Sequence, residues 1–341
     1  MKVLVLGGTR FLGPAVVGAA LARGDEVTTF TRGVSGEPPT GVTALHGDRE
    51  DPAALDVLRG REFDLVVDTC GYTPSVVGEA ARRLSDNAGH YAFVSTINVY
   101  PQWPDQPIRA DSAVYDCPPE ASQAPPELTG AAPYGYLKAG CERAVESYFP
   151  KRSTLVRAGL LVGPHDNSGR LTWWIGRIAR GGRVPVPGTP DAQLSLVDVR
   201  DLAEWMLDSG TNAHVGPYNA TGPSDMTTYR EVFEACRAAT GSDAELVWIP
   251  EEVITKVGVE PWTELPLWVP SSQTYAFDVD VQPILDAGLR LRPVAETVAD
   301  TWAWQREVAQ LPAGFDRKSG MSTEQEAVLL AAGQRPDGMA R

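Results

Sequence analysis

The first 160 residues alternate short, nearly uninterrupted apolar runs with stretches of helical spacing, and this alternation restricts the fold more than any other feature of the chain. Val3 to Leu6, Glu26 to Thr31, Asp64 to Thr69, Tyr91 to Val94 and Thr154 to Val156 read as strands. Between them, Phe11 to Arg23, Pro52 to Arg59, Ser75 to Leu84 and Tyr134 to Phe149 carry helical periodicity. A strand that is apolar on both faces must be covered on both faces. Helices between such strands then impose parallel pairing, so the expectation is an α/β, doubly wound parallel sheet.

From Pro101 to Pro133 the chain holds eight prolines and no periodicity, which reads as a long irregular crossing of the kind that covers a site. Beyond Gly163 the alternation weakens, with helices expected at Leu171 to Arg180, Val199 to Asp208, Tyr229 to Thr240 and Val294 to Glu307. The polar tail after Leu311 carries one more candidate helix, Thr323 to Ala332. Residues 1–165, with contributions from about 190–220, are therefore expected to form a ligand-binding α/β domain. Residues 166–341 supply a smaller, mixed substrate domain and the tail.

A formal charge of −14 argues against a nucleic-acid partner, which needs clustered Lys and Arg on one face. The four cysteines (Cys70, Cys117, Cys141, Cys236) are scattered without a CxxC pair, and the four histidines show no ligand spacing, so no metal site is expected. The apolar run that opens the chain stops at Gly7, too short for a signal-peptide core or a membrane span, and a cytoplasmic protein without membrane contact is the expectation.

Directly after the first strand comes Gly7-Gly8-Thr9-Arg10-Phe11-Leu12-Gly13, and then a helix. Glycine lets the chain turn sharply and brings backbone N–H groups and the helix N-terminus against a pyrophosphate. A small residue at Gly13 lets the helix lie close to the strand. This is the context a dinucleotide-binding, Rossmann-like turn requires, with Gly7, Thr9, Arg10, Phe11, Leu12 and Gly13 as its contacts. The second strand ends Thr31-Arg32-Gly33, without the acidic residue that would bond a ribose 2′-hydroxyl. Arg32 with Arg10 can instead hold a 2′-phosphate, which favours NADP while leaving NAD possible; the alternative makes both arginines solvated surface residues. Asp48 either accepts a hydrogen bond from the adenine amino group or caps the helix that follows.

Tyr134 and Lys138 lie one helical turn apart on one face, where an ammonium favours the phenolate and lowers the tyrosine pKa toward the range of a working acid/base. The strand through Phe93-Val94-Ser95-Thr96 ends in hydroxyl residues at the carboxyl edge of the sheet, where open α/β sheets bind ligands. A glycine-rich first turn, a strand ending Ser-Thr-x-x-Val-Tyr and a YxxxK helix together resemble the extended short-chain dehydrogenases, the NAD-dependent epimerase/dehydratase family. The likeness runs on through Arg157 to Pro164, Leu196 to Asp201 and Tyr218 to Ala220. It implies that Thr96 polarises the substrate oxygen, with Ser95 as the alternative hydroxyl, that Tyr134 is the acid/base, and that Lys138 binds the nicotinamide ribose and tunes the tyrosine. The GGTRFLG turn is similar to an atypical branch that includes reductases, epimerases and chloroplast stem-loop-binding proteins. Where relatives carry an Ala-Ala pair over the cofactor, this chain has Cys70-Gly71-Tyr72, so Cys70 joins the cofactor wall as a small filler. His165 is a candidate second acid/base, and Trp174, with Trp173, Trp262 and Trp268, is either a substrate platform or core.

The function expected is NAD(P)-dependent hydride exchange between cofactor and a ketone or secondary alcohol. The alternative is a sugar or nucleotide-sugar epimerase or dehydratase of the same family; a nucleic-acid-binding protein that keeps only the fold is a third reading. Two departures favour a small, partly apolar substrate. Leu160 stands where many nucleotide-sugar relatives carry an asparagine, and the segment Asp191 to Ser195 lacks their arginine. The resemblance also implies a homodimer, paired through the YxxxK helix and the helix before it.

Overall fold

A computed structural model describes residues 1–34, 36, 39–212, 214–273, 275–308 and 319–333. Parts of the polar tail, 309–318 and 334–341, lie outside these. Contacts divide the chain into two units: Met1–Leu161 with Val197–Pro223 and Asp278–Leu291, and Val162–Leu196 with Ser224–Phe277 and Arg292–Arg341.

The first unit is built on strands β1 (Lys2–Leu6), β2 (Glu26–Thr31), β3 (Thr43–His46), β4 (Phe63–Asp68), β5 (Ala88–Thr96) and β6 (Ser153–Ala158), and a seventh strand, Gly216–Ala220. They form one parallel sheet in the order seventh, β6, β5, β4, β1, β2, β3. Side chains alternate between its faces. Val3 and Val5 of β1, with Leu65, Val67, Ala92 and Val156, pack under helix α1 (Leu12–Ala22) and the helix Val199–Asn212. Leu4 and Leu6, with Val66, Tyr91, Phe93 and Leu155, pack under α2 (Pro74–Leu84), α3 (Ala132–Tyr148) and a 3-10 helix at Pro52–Leu58. Both faces of the central strands are thus removed from water, while the edge strand β3 stays largely exposed; this is the doubly wound arrangement that the apolar runs imply.

Strand β5 begins before the expected Tyr91 because the polar His90 is satisfied inside the sheet rather than marking its end. His90 is buried, its Nε2 2.7 Å from Thr154 Oγ1, and burial holds its imidazole down at about 4, in the neutral form. The expected domain boundary omits Asp278–Leu291. That segment is fixed within the first unit by Asn219 Nδ2 donating to the Asp280 carbonyl (3.1 Å) and Trp205 Nε1 donating to the Ala287 carbonyl (3.1 Å).

The second unit has helices Arg170–Ala179, Tyr229–Thr240, Glu251–Val257, Val294–Glu307 and Thr323–Gly333, and a parallel pair of strands, Arg183–Pro187 and Glu245–Ile249. Its core centres on Trp174 and Phe233, whose ring centroids are 4.5 Å apart. The Tyr229 helix opens on a reciprocal capping box between Thr228 and Glu231. Among the described residues, no helix is long and apolar enough to cross a membrane.

Candidate active site

The turn after β1 has the conformation that its glycines permit. Gly7 and Gly8 adopt φ of 104° and 108°, and a Cβ on Gly13 would lie 2.7 Å from Gly8 Cα, so any larger residue there would push α1 off the turn. Phe11, at φ 46°, redirects the chain into α1, which begins at Leu12 with no side-chain cap. The first-turn amides of α1 therefore meet no capping side chain, and their partial positive charge faces the end of β1. This uncapped end and the space kept open by three glycines fit a dinucleotide pyrophosphate. Thr9, Arg10, Phe11 and Leu12 line the same turn, with Arg10 exposed.

Arg32, at the end of β2, is exposed. Asp48 accepts from the amide of Glu50 (3.0 Å), while Asp51 caps the 3-10 helix through the amide of Ala53 (2.9 Å). Asp48 thus shapes the turn that leads to the cap. Its neighbour Arg49, to which the sequence reading gave no role, makes the strongest contact here: Nη1 and Nη2 donate to the two Asp68 oxygens at 2.8 and 2.9 Å. Tyr91 Oη adds a bond to Asp68 at 2.8 Å, and the Cys70 amide another at 3.1 Å. Burial alone would raise the Asp68 pKa, but Arg49 and these donors outweigh it, and the carboxyl lies below its ordinary value. Cys70 lies against this pair, Sγ 3.4 Å from Arg49 Nη1, and burial raises its thiol. A thiol raised in this way is a poor nucleophile, in keeping with a filler in the wall.

At the end of β5, Thr96 is 6% exposed, and its Oγ1 accepts from the Asn98 amide at 3.2 Å, which leaves its hydroxyl proton to donate. Ser95 Oγ is buried without a hydrogen-bond partner among the described residues. Helix α3 abuts this strand end through Gly135, where an added Cβ would lie 2.7 Å from the Asn98 carbonyl carbon. Tyr134, next to Gly135, is 40% exposed, whereas Lys138 is 2% exposed. Lys138 Nζ donates to the carbonyls of Gly71 and Val94, both at 2.6 Å, so the ends of β4 and β5 hold two of its three N–H groups. The third suits a ribose hydroxyl.

Gly135 thus sets how near Tyr134 lies to the strand end. Gly135→Ala puts a methyl against backbone that cannot yield, and α3 must move outward with Tyr134. A displacement near 1 Å is expected to lower kcat by about 100-fold while circular dichroism stays close to wild type. Full turnover in this variant would mean that the docking does not position the phenol.

Trp174 and Arg157 take structural places. Trp174 has no exposed surface, and its Nε1 donates to the Pro266 carbonyl at 2.6 Å. It is core, not a substrate contact, because its whole ring is needed to fill the space around Phe233. His165 is exposed at φ 64°, its ring centroid 5.2 Å from that of Trp304. Arg157 is consumed by the fold: it donates to Glu142 through Nη2 (2.8 Å) and Nε (3.0 Å), and through Nη1 to Tyr100 Oη (2.7 Å) and the Ala110 carbonyl (2.8 Å). Tyr100 passes the chain of bonds on to Asn219 at 2.7 Å.

Comparison with known proteins supplies the family. The chain is 26% identical over 260 residues to the chloroplast stem-loop binding protein of 41 kDa b from Arabidopsis thaliana, covering 70% of this chain but only 63% of that protein. It is 27% identical over 278 residues to dTDP-6-deoxy-L-talose 4-dehydrogenase (NAD(P)(+)) from Kitasatospora kifunensis, covering 73% of this chain and 82% of that enzyme. The Bordetella bronchiseptica enzyme WbmH, solved in complex with NAD+, shares the fold with a TM-score of 0.66 at 20% identity, covering 91% of this chain and 99% of that one. Residues 3–220 match the model of the NAD dependent epimerase/dehydratase family. The chain belongs to that family of NAD-dependent enzymes.

Proposed function

We propose that this protein exchanges hydride between a nicotinamide dinucleotide and a secondary alcohol carbon of a sugar carried as a nucleotide sugar, as an epimerase, dehydratase or dehydrogenase. The reading is carried by one observation: an exposed phenol, Tyr134, stands one turn of α3 from a buried ammonium, Lys138, beside a hydroxyl residue at the end of β5. Family membership and the dTDP-sugar dehydrogenase among the relatives support it. The dinucleotide, lying along Gly7 to Gly13, would supply the hydride-accepting and hydride-donating ring.

Tyr134 takes the alcohol proton as the C–H bond of the substrate breaks and the C–O bond becomes a carbonyl, and it returns that proton in the reverse direction. Lys138 stabilises the phenolate that accepts this proton and holds the ribose with its remaining N–H. Thr96 donates a hydrogen bond from its hydroxyl to the substrate oxygen, where negative charge gathers in the transition state. The exposed Arg10 and Arg32 suit a 2′-phosphate, so both cofactors are accepted and NADPH binds the tighter.

A small, partly apolar ketone is the second reading. Leu160 is buried and Arg157 is committed to Glu142, so neither is a diphosphate anchor. Calorimetry separates the two. Micromolar binding of dTDP or UDP to the NAD-loaded protein supports the nucleotide-sugar reading, and no binding of either, or of GDP, sets it aside for the ketone. Fluorescence titration tests the cofactor: an NADPH preference that narrows in Arg32→Ala is expected, and an NADH preference that survives that change removes the role given to the arginine.

A further inference from the structure

Lys138 sits in a cage that the family pattern of the site does not explain. Its ammonium lies 4.6 Å from the centroid of the Phe93 ring, 5.0 Å from that of Tyr72 and 6.0 Å from that of Tyr134. Phe93 is fully buried and forms a fixed floor. Tyr72 is different: it is 59% exposed, on the loop that leaves β4, with its ring against the nearly fully buried ammonium. That loop is held tightly, since a Cβ on Gly71 would lie 2.6 Å from Val77 Cγ2 and 2.7 Å from Phe93 Cε2. The close fit that sends the Gly71 carbonyl to Lys138 also fixes the start of Tyr72.

We propose that Tyr72 is a positioning residue of the active site: the face of its ring closes the Lys138 cage against water, so that the ammonium stays on the Gly71 and Val94 carbonyls and acts on Tyr134 through a low-dielectric gap. The proposal rests on Tyr134 and Lys138 being the proton-handling pair. A ring quadrupole attracts the ammonium, and excluding water lengthens the reach of its charge. The other titratable neighbours do not oppose that charge at neutral pH. Burial raises the Cys70 thiol on the β4 side and pushes Cys141 on α3 up to about 12, while Asp68 and Arg49 neutralise each other beyond them. The ring acts here, not the hydroxyl.

The test is a pH titration of the full chain labelled with 13Cζ-tyrosine, followed by NMR, with the Tyr134 signal assigned by its loss in Tyr134→Phe. Lys138→Met should move the Tyr134 midpoint upward. Tyr72→Leu should also move it upward, by about 0.5–1 pH unit, because the ammonium becomes solvated. Tyr72→Phe keeps the ring and should leave the midpoint at or slightly below the wild-type value. Tyr72→Gln gives the same reading as leucine should the apolar side chain at so exposed a position cause aggregation. If Lys138→Met shifts Tyr134 and neither Tyr72→Leu nor Tyr72→Gln does, the role of Tyr72 is overturned and the catalytic pair stands. If Lys138→Met itself leaves Tyr134 unmoved, the pair fails and the proposal with it. A shift in Tyr72→Phe as large as in Tyr72→Leu would assign the effect to the hydroxyl and overturn the cage.

Discussion

Tyr134→Phe is expected to lower kcat by about two to four orders of magnitude with little change in fold or in cofactor affinity. The substitution removes one oxygen from a side chain that is 40% exposed, so it opens no cavity and leaves the docking of α3 through Gly135 intact. What it removes is the proton acceptor for the alcohol. Without it the proton must pass to water at a site where Lys138 can no longer stabilise the conjugate base. Thr96→Ala should cost less in turnover, since a polarising donor is lost while the proton path remains. It should also weaken the turn after β5, where Thr96 Oγ1 takes the Asn98 amide. Steady-state rates with the substrate that the nucleotide-sugar panel identifies, and NADH titration of the same variants, measure both effects. Near-normal turnover in Tyr134→Phe would remove the mechanism whatever the fold.

The fold was legible because the chain repeats one physical statement. Each apolar run too short for a helix and followed by helical spacing has to be a strand buried on both faces, and five such runs leave little choice of architecture. The glycine turn and the Tyr134 to Lys138 spacing were legible for the same reason: both are local, a few residues long, and depend on backbone geometry that sequence encodes directly. What the sequence hid is long-range. Arg49 reads as a polar residue in a turn, and only the sheet brings it to Asp68, which the strand pattern presents as the polar end of an apolar run. Arg157 lies in a strand and looks available to a ligand, yet Glu142, fifteen residues earlier on α3, takes it up. Trp174 illustrates a different gap. Helical spacing places it on one face of its helix, but whether that face meets a ligand or Phe233 depends on what packs against it. Lys138 was assigned by its spacing from Tyr134 together with the family resemblance, and its seat on two strand-end carbonyls, with Tyr72 across it, had no signal in the sequence.

Breaking the buried Arg49–Asp68 pair should produce a large loss of stability in the first unit. Asp68 is fully buried and the Arg49 side chain is 11% exposed, with two-pronged contact at 2.8 and 2.9 Å. Asp68→Asn keeps the shape and removes the charge, which leaves a guanidinium in the interior without its partner. Losing one side of a buried pair costs about 3–5 kcal/mol, a large share of the stability of a domain of this size. Arg49→Met leaves the carboxylate instead, still bonded to Tyr91 Oη and the Cys70 amide, and should cost somewhat less. The double variant Asp68→Leu with Arg49→Met leaves no buried charge and should be more stable than either single one. The pH dependence follows from the lowered carboxyl. A folded-state value below the unfolded one, about 3.9, makes the contribution of Asp68 complete above that pH and lost as pH falls through the lower folded value. Urea denaturation at pH 7 and at pH 3 measures each quantity. The loss reaches the active site as well, because Asp68 holds the Cys70 amide, and the same loop then delivers the Gly71 carbonyl to Lys138. In Asp68→Asn, even at temperatures where the chain stays folded, the Lys138 seat should loosen and turnover should fall further than the folded fraction predicts. Single variants that lose under about 1 kcal/mol, or a double variant no more stable than the singles, would show that the pair is solvated in solution and does not hold the β4 loop.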